Sequence, residues 1–197
     1  MSERFYEVRP IAVDEWLPDG CIAHGPPIDP ATDKPGSGCD SLQRYTRGSR
    51  ERLIEMYRQV LAEVGCCGFV AWVQGRVVGY NNFFPRDWAR AIRFYGWGGE
   101  EDTSPGTLVH NCISMKVAPA YRRKGIGSSL IRHSLRWGKE HGWRRFEVHL
   151  VTPDSPEHFA GEQKSCVTFW RKLGFEVLRQ DPGGTFSMAI SLARYEL

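Results

Sequence analysis

The sequence predicts a mixed α/β fold in which helices pack on a largely antiparallel sheet that contains one parallel β-α-β unit. Three observations carry this. Strand-like and helix-like patterns succeed one another in the order strand, helices, hairpin, strand, helix, strand, helix, strand, strand. Two β-rich runs flank Gln74-Gly75, the mark of a tight hairpin. The stretch "MKVAPAYRRKGIGSSLIRHSLRWG", beginning at Met115, passes from strand-like alternation to an amphipathic helix through a proline, three adjacent cations and two glycines.

Each element has its own signal. "YEVRPI", from Tyr6, reads as a short first strand. The segment 14–46 is rich in Gly, Pro and Asp, which favours a loop or flap over regular structure. A helix is expected over about 49–64, with Leu53, Met56, Tyr57, Val60, Leu61 and Val64 on one face. The hairpin "CCGFVAWVQGRVVGYNNFF" follows, then an irregular segment over 85–108. "LVHNCISMKV" resumes strand character and must stop at Pro119, which has no N–H for a ladder. In the next helix Ile126, Leu130, Ile131, Leu135 and Trp137 face the sheet. "RRFEVHLV" is a strand, "EQKSCVTFWRKLG" a helix stopped by Gly174, and "FEVLRQ" a strand. "TFSMAISLARYEL" closes the chain as a last strand, with Phe186, Met188, Ile190 and Leu192 on one face.

The 197 residues, 41% hydrophobic and 25% charged, suit one soluble domain spanning 1–197. No apolar run approaches the roughly 18 residues that cross a bilayer, so no membrane partner is expected. The charged N-terminus "MSERFYEVRP" lacks the centre of a signal peptide, which leaves a cytoplasmic protein as the expectation. A formal charge of +3 is too mild to argue for nucleic acid. The cysteines at 21, 39, 66, 67, 112 and 166 form no C-x-x-C pair, so free thiols and no metal are expected.

The stretch from Met115 carries the chemistry. Gly125 and Gly127 let the chain turn sharply and let a bulky anion approach without a Cβ in the way. The helix that follows begins with N–H groups that have no intrahelical partner and with the positive end of its dipole. Amides, dipole and the cations Arg122, Arg123 and Lys124 together suit phosphate oxygens, with the Ser128 hydroxyl beside them. Ordinary solvated cations at a helix start are the plainer alternative. The physics points to pyrophosphate without naming a cofactor.

"VAPAYRRKGIGSSLI" resembles the acyl-CoA-binding motif of the GNAT N-acetyltransferase superfamily, V-x-P-x-x-[RQ]-x-x-G-x-[GA], at Val117, Pro119, Arg122, Gly125 and Gly127. "SCVTFWRKLGFEVL" resembles that family's second motif, an aromatic-x-x-x-Gly-Phe helix end. The resemblance covers roughly Gly68 to Leu192 and implies a GNAT-type sheet and acetyl-CoA as co-substrate, without metal. It implies that Met115, Lys116 and Val117 pair with the pantetheine arm. It further implies that Arg122, Arg123, Lys124, Gly125, Ile126, Gly127 and Ser128 surround the pyrophosphate, and that Gln163 and Trp170 line the cofactor from the second motif. Many members carry a tyrosine as proton donor where this chain has Trp170, and indole is no useful acid at neutral pH.

Acyl transfer to an amine requires the ammonium, with a pKa near ~10, to lose a proton. His110 lies at the start of the strand that enters the motif, and Glu147 and His149 lie on the next strand. These three are the candidate bases, and a buried amine of lowered pKa would need none. Phe83, Phe84, Trp88, Phe94, Tyr95 and Trp97 alternate with Arg86, Arg90 and Arg93, and line a pocket for an aromatic or anionic acceptor, stack on nucleic acid, or pack as a lid. The expected activity is direct transfer of an acetyl group to a primary amine of a small molecule or peptide. A non-catalytic CoA-binding regulatory module is the alternative, and a homodimer is compatible with the chain.

Overall fold

The computed structural model describes residues 5–12, 50–91, 105–155 and 166–196. In chain order the elements are β1 (Glu7–Pro10), α1 (Arg50–Val64), β2 (Gly68–Val73), β3 (Arg76–Pro85), α2 (Arg86–Ala91), β4 (Thr107–Val117), α3 (Ile126–Glu140), β5 (Arg145–Val151), α4 (Val167–Arg171), β6 (Glu176–Gln180) and β7 (Phe186–Ser191). The strands form a sheet of order β1-β2-β3-β4-β5-β7-β6. β4 and β5 pair in parallel across α3, and the other neighbours are antiparallel. The mixed α/β fold and its single β-α-β unit are as the sequence predicts.

Alternation along the strands sorts side chains to two faces. Phe69, Ala71, Phe83, Leu108, Phe146, Val148 and Met188 meet the buried stripe of α3, which includes Ile126, Leu130, Ile131 and Leu135. Val70, Tyr80, Phe84 and Val109 meet Val60 of α1 on the other face. Each fully buried Leu, Ile or Phe contributes roughly 1.5–3 kcal/mol, so these two layers are the main source of stability. α3 lies close to the sheet because Gly79 leaves room for it. A Cβ at that position would stand 3.1 Å from Ile126 Cγ2.

Two expectations about regular structure need correction. The segment expected to be irregular from 85 onward begins with helix α2, whose first turn carries Asp87 next to the positive end of its dipole. The last strand is shorter than expected, because Leu192–Arg194 turn into a 3-10 helix. This turn brings the Tyr195 carbonyl to the Lys139 ammonium, which donates a hydrogen bond to it. The 14–46 segment, the aromatic run from Phe94 to Trp97, and Gln163 lie outside the described residues. No described helix is long and apolar enough to cross a membrane.

Candidate active site

β4 and β5 part company about halfway along β4. Their pairing runs from Thr107↔Arg145 to Asn111↔His149 and goes no further. Both strands become irregular there. Between Phe83↔His110 and Asn81↔Met115, β3 advances two residues while β4 advances five, so Asn111–Ser114 bulge out of the ladder. On β5, Leu150 has φ 57°, and the β5–β7 register slips between Val148 and Val151. A leucine in the left-handed region costs of order 1–3 kcal/mol, and such outliers gather at functional sites. The result is a fork in the sheet.

The open side of the fork faces the start of α3. Gly125 caps the helix with φ 83° and supplies no side-chain bond to the first amides, and no acidic residue occupies the first turn. Ser129 N–H is the first to bond within the helix, to Gly125 O at 2.9 Å. The preceding N–H groups therefore present the positive end of the dipole to an anion. Gly127 is informative. Its φ is not left-handed, and a Cβ there would meet Met115 Sδ at 3.6 Å and Phe169 Cζ at 3.9 Å, which is ordinary contact. Neither backbone nor packing demands glycine, whereas an approaching phosphate would.

The cations of the turn divide. Arg122 Nε donates to Val117 O at 2.7 Å, which ties the turn to the end of β4. Arg123 and Lys124 are exposed, and Arg123 adopts φ 63°. The Lys124 ammonium lies 5.7 Å from the Phe5 ring and 5.5 Å from the Tyr121 ring. Ile126 is buried under the sheet, so only its backbone faces the turn. Met115, Lys116, Val117 and Ser128 are half-buried along the same edge.

The three candidate bases do not come together. His110 lies on the α3 face, its ring centroid 5.4 Å from Trp170 and 6.3 Å from Phe146. Its Nδ1 lies 2.5 Å from Asn82 O. A carbonyl only accepts, so Nδ1 carries the proton and Nε2 the lone pair. Complete burial pushes the ring pKa down to about 4, so His110 is neutral at ordinary pH.

Glu147 and His149 lie on the opposite face, in contact with each other. His149 Nε2 is 3.2 Å from Glu147 Oε2. The same oxygen accepts from Arg86 Nη2 at 2.5 Å, and Oε1 lies 2.9 Å from Arg145 Nε. Burial by itself would raise the Glu147 pKa, but the His149 hydrogen bond and the charges of Arg86, His149 and Arg145 outweigh it and hold the carboxyl below its usual range. No sequence pattern marks Arg86 as the buried partner of Glu147, because the two lie 61 positions apart. Phe83 and Phe84, considered for an acceptor pocket, are 0% and 1% exposed and belong to the core. Trp88 instead donates from Nε1 to Glu63 at 3.1 Å.

Trp170 is 0% exposed and packs edge-on against Phe169 and Phe175. Among the described residues nothing accepts its indole N–H. Burial raises the Cys66 thiol to about 11, which keeps it protonated and a poor nucleophile. Among the described residues no group of His, Cys, Asp and Glu could hold a metal ion.

The model of the acetyltransferase (GNAT) family matches residues 38–175. An N-alpha-acetyltransferase of Sulfurisphaera tokodaii is 31% identical over 121 residues, which are 60% of this chain and 62% of that protein. The match thus spans less than two thirds of the curated relative. The PaiA N-acetyltransferase of Thermoplasma acidophilum, solved with coenzyme A, superposes with a TM-score of 0.55 at 15% identity, over 94% of this chain and 98% of that one. A GNAT-like decarboxylase, GphF, solved with isobutyryl-CoA, superposes with a TM-score of 0.57 at 17% identity, over 94% and 99%. Such low identities speak for the fold alone, and a fold does not fix a reaction. The family model covers well over half of the chain, and this chain belongs to the acetyltransferase (GNAT) family.

Proposed function

We propose that this protein transfers the acetyl group of acetyl-CoA directly to a primary amine of a small molecule or peptide. The observation that carries the reading is the placement of Gly127 and the uncapped start of α3 at the open side of the β4–β5 fork. The amides of 126–128 would hold the pyrophosphate, the stretch of β4 from Met115 to Val117, beyond its pairing with β5, would meet the pantetheine arm, and the thioester would enter the fork. The curated relative's name, N-alpha-acetyltransferase, supports an amine as acceptor.

In this reaction the amine nitrogen attacks the thioester carbonyl, the C–S bond breaks, and the amine proton must go elsewhere. His149 and Glu147 are committed to one another and to the arginines. His110 is held neutral with a much reduced proton affinity. These contacts support a mechanism in which the amine reacts after losing its proton to solvent, while the protein supplies position and an apolar site. Trp170 acts as packing at the inner end of the fork.

A CoA-binding regulatory module is the second reading, favoured by the absence of an acidic side chain at Trp170. Calorimetry with acetyl-CoA, followed by a thiol-release assay across a panel of amines, separates the two. Binding with turnover is expected. Binding without turnover would leave the regulatory module, and absence of binding would overturn both.

A further inference from the structure

Both imidazole nitrogens of His149 are engaged. Nε2 faces Glu147 Oε2 at 3.2 Å, and Nδ1 faces Ser187 Oγ at 2.9 Å. Ser187 Oγ lies in turn 3.2 Å and 3.1 Å from the two carboxylate oxygens of Asp181. A hydroxyl has one proton and cannot donate to both neighbours at once. If the ring carries both protons, Nε2–H donates to Glu147, Nδ1–H donates to Ser187, and Ser187 donates to Asp181. If the ring is neutral with its proton toward Glu147, Ser187 must turn and donate to Nδ1. Asp181 then faces an oxygen lone pair unless it takes up a proton itself. A single proton decides whether the chain of hydrogen bonds is closed.

We propose that Ser187 and Asp181 are positioning residues of the transfer site, forming with His149 a one-proton switch that fastens the kinked end of β5 to the β6–β7 turn. His149 is the last β5 residue paired with β4, and the left-handed Leu150 follows it directly. Anything that holds the His149 ring therefore sets the angle at which the fork opens. The far end of the chain is firmly built. Asp181 N–H donates to Thr185 O at 2.7 Å, and Arg179 Nε and Thr185 Oγ1 donate to its carboxylate at 3.0 Å and 3.4 Å. Ser187 is 1% exposed, whereas the Asp181 side chain is 19% exposed, so the chain leads from the buried fork to solvent.

The surrounding charges come from every neighbouring element. Glu147 on β5 and Asp181 in the turn bring negative charge toward the ring, Arg86 on α2 and Arg145 on β5 bring positive charge, and Arg179 on β6 pairs with Asp181. His110 on β4 faces the other side of the sheet. These opposed charges let one more proton or one fewer decide the state. With the charged ring the turn and the fork are joined; with the neutral ring the connection opens at Ser187–Asp181.

The consequence for transfer rests on reading the fork as the transfer site, but the switch can be tested without it. In histidine labelled with 15N, the ratio of doubly protonated to neutral His149 is measured at one mildly acidic pH in the wild type, Ser187→Ala, Asp181→Asn and the double variant. Each single change should lower the ratio by roughly threefold or more, equivalent to half a pH unit. The double variant should fall no further than Ser187→Ala, because Asp181 acts through the hydroxyl. Ser187→Thr, which restores that hydroxyl, should return the ratio close to the wild-type value. An unchanged ratio in Ser187→Ala, or effects that multiply in the double variant, would overturn the switch. Should Ser187→Ala fail to fold, Asp181→Asn decides, and an unchanged ratio there overturns it equally. In the transfer assay, the pH at which the KM for acetyl-CoA rises should move with the same variants while kcat is retained. A drop in kcat without movement along the pH axis would refute the positioning role. A wild type that never turns over acetyl-CoA would count against the transfer reading, with the NMR result still deciding the switch.

Discussion

The Nδ1 atom of His110 stands 2.5 Å from the carbonyl oxygen of Asn82, in a site where the ring is 0% exposed. Burial brings its pKa from 6.5 to about 4. Between those values the unfolded chain binds a proton that the native ring refuses. The contribution of His110 to stability is thus complete above pH 6.5, falls as the pH drops toward 4, and levels off below. The total is roughly 3 kcal/mol. Urea denaturation across this range should show the decline. His110→Asn, whose amide can still donate to Asn82, should show a visibly flatter one; equal slopes in the two proteins would refute the assignment.

The Arg86–Glu147 pair gives a second test. Glu147→Gln leaves Arg86, 7% exposed, without its carboxylate. Stranding a buried charge costs about 3–5 kcal/mol. Adding Arg86→Met to the same chain should recover part of that loss, because the buried cation that lost this carboxylate is removed with it. A double variant no more stable than Glu147→Gln would contradict the pairing.

Gly127 separates fold from ligand. Gly127→Ala should melt within a few degrees of the wild type, since its Cβ meets Met115 and Phe169 at 3.6–3.9 Å. Gly127→Glu should abolish acetyl-CoA binding in calorimetry by placing a side chain and a negative charge where phosphate would lie. A folded Gly127→Glu protein of undiminished affinity would remove the phosphate assignment.

Trp170 is tested by two truncations. Trp170→Phe should keep most of the turnover, because the apolar contacts to Phe169 and Phe175 are largely retained and the indole N–H, which nothing accepts among the described residues, is removed. Trp170→Ala should cost about 3–5 kcal/mol of stability, as for a fully buried aromatic, and weaken CoA binding with it. Loss of turnover in a stable Trp170→Phe protein would show that the indole N–H takes part in the chemistry.

The sequence by itself determined most of the elements, the β-α-β unit and the glycine-rich turn before α3, because those depend on local periodicity and on residues adjacent in the chain. Pro119, Gly125 and Gly127 act within a few positions of one another, and their pattern is legible without the fold. Tertiary structure decided the rest. Alternation puts Glu147 and His149 on one face of β5, but only the parallel pairing of β4 with β5, and the strand parity it sets, places His110 on the other. Arg86 and Glu147 are 61 positions apart in sequence, and Ser187 and His149 are 38 apart. Such contacts depend on strand order, register and bulges, which integrate interactions over the whole sheet. The fork has the same origin: two strands that each read as regular become irregular at one point, because the sheet bends there and the bulged residues have no partner to align with.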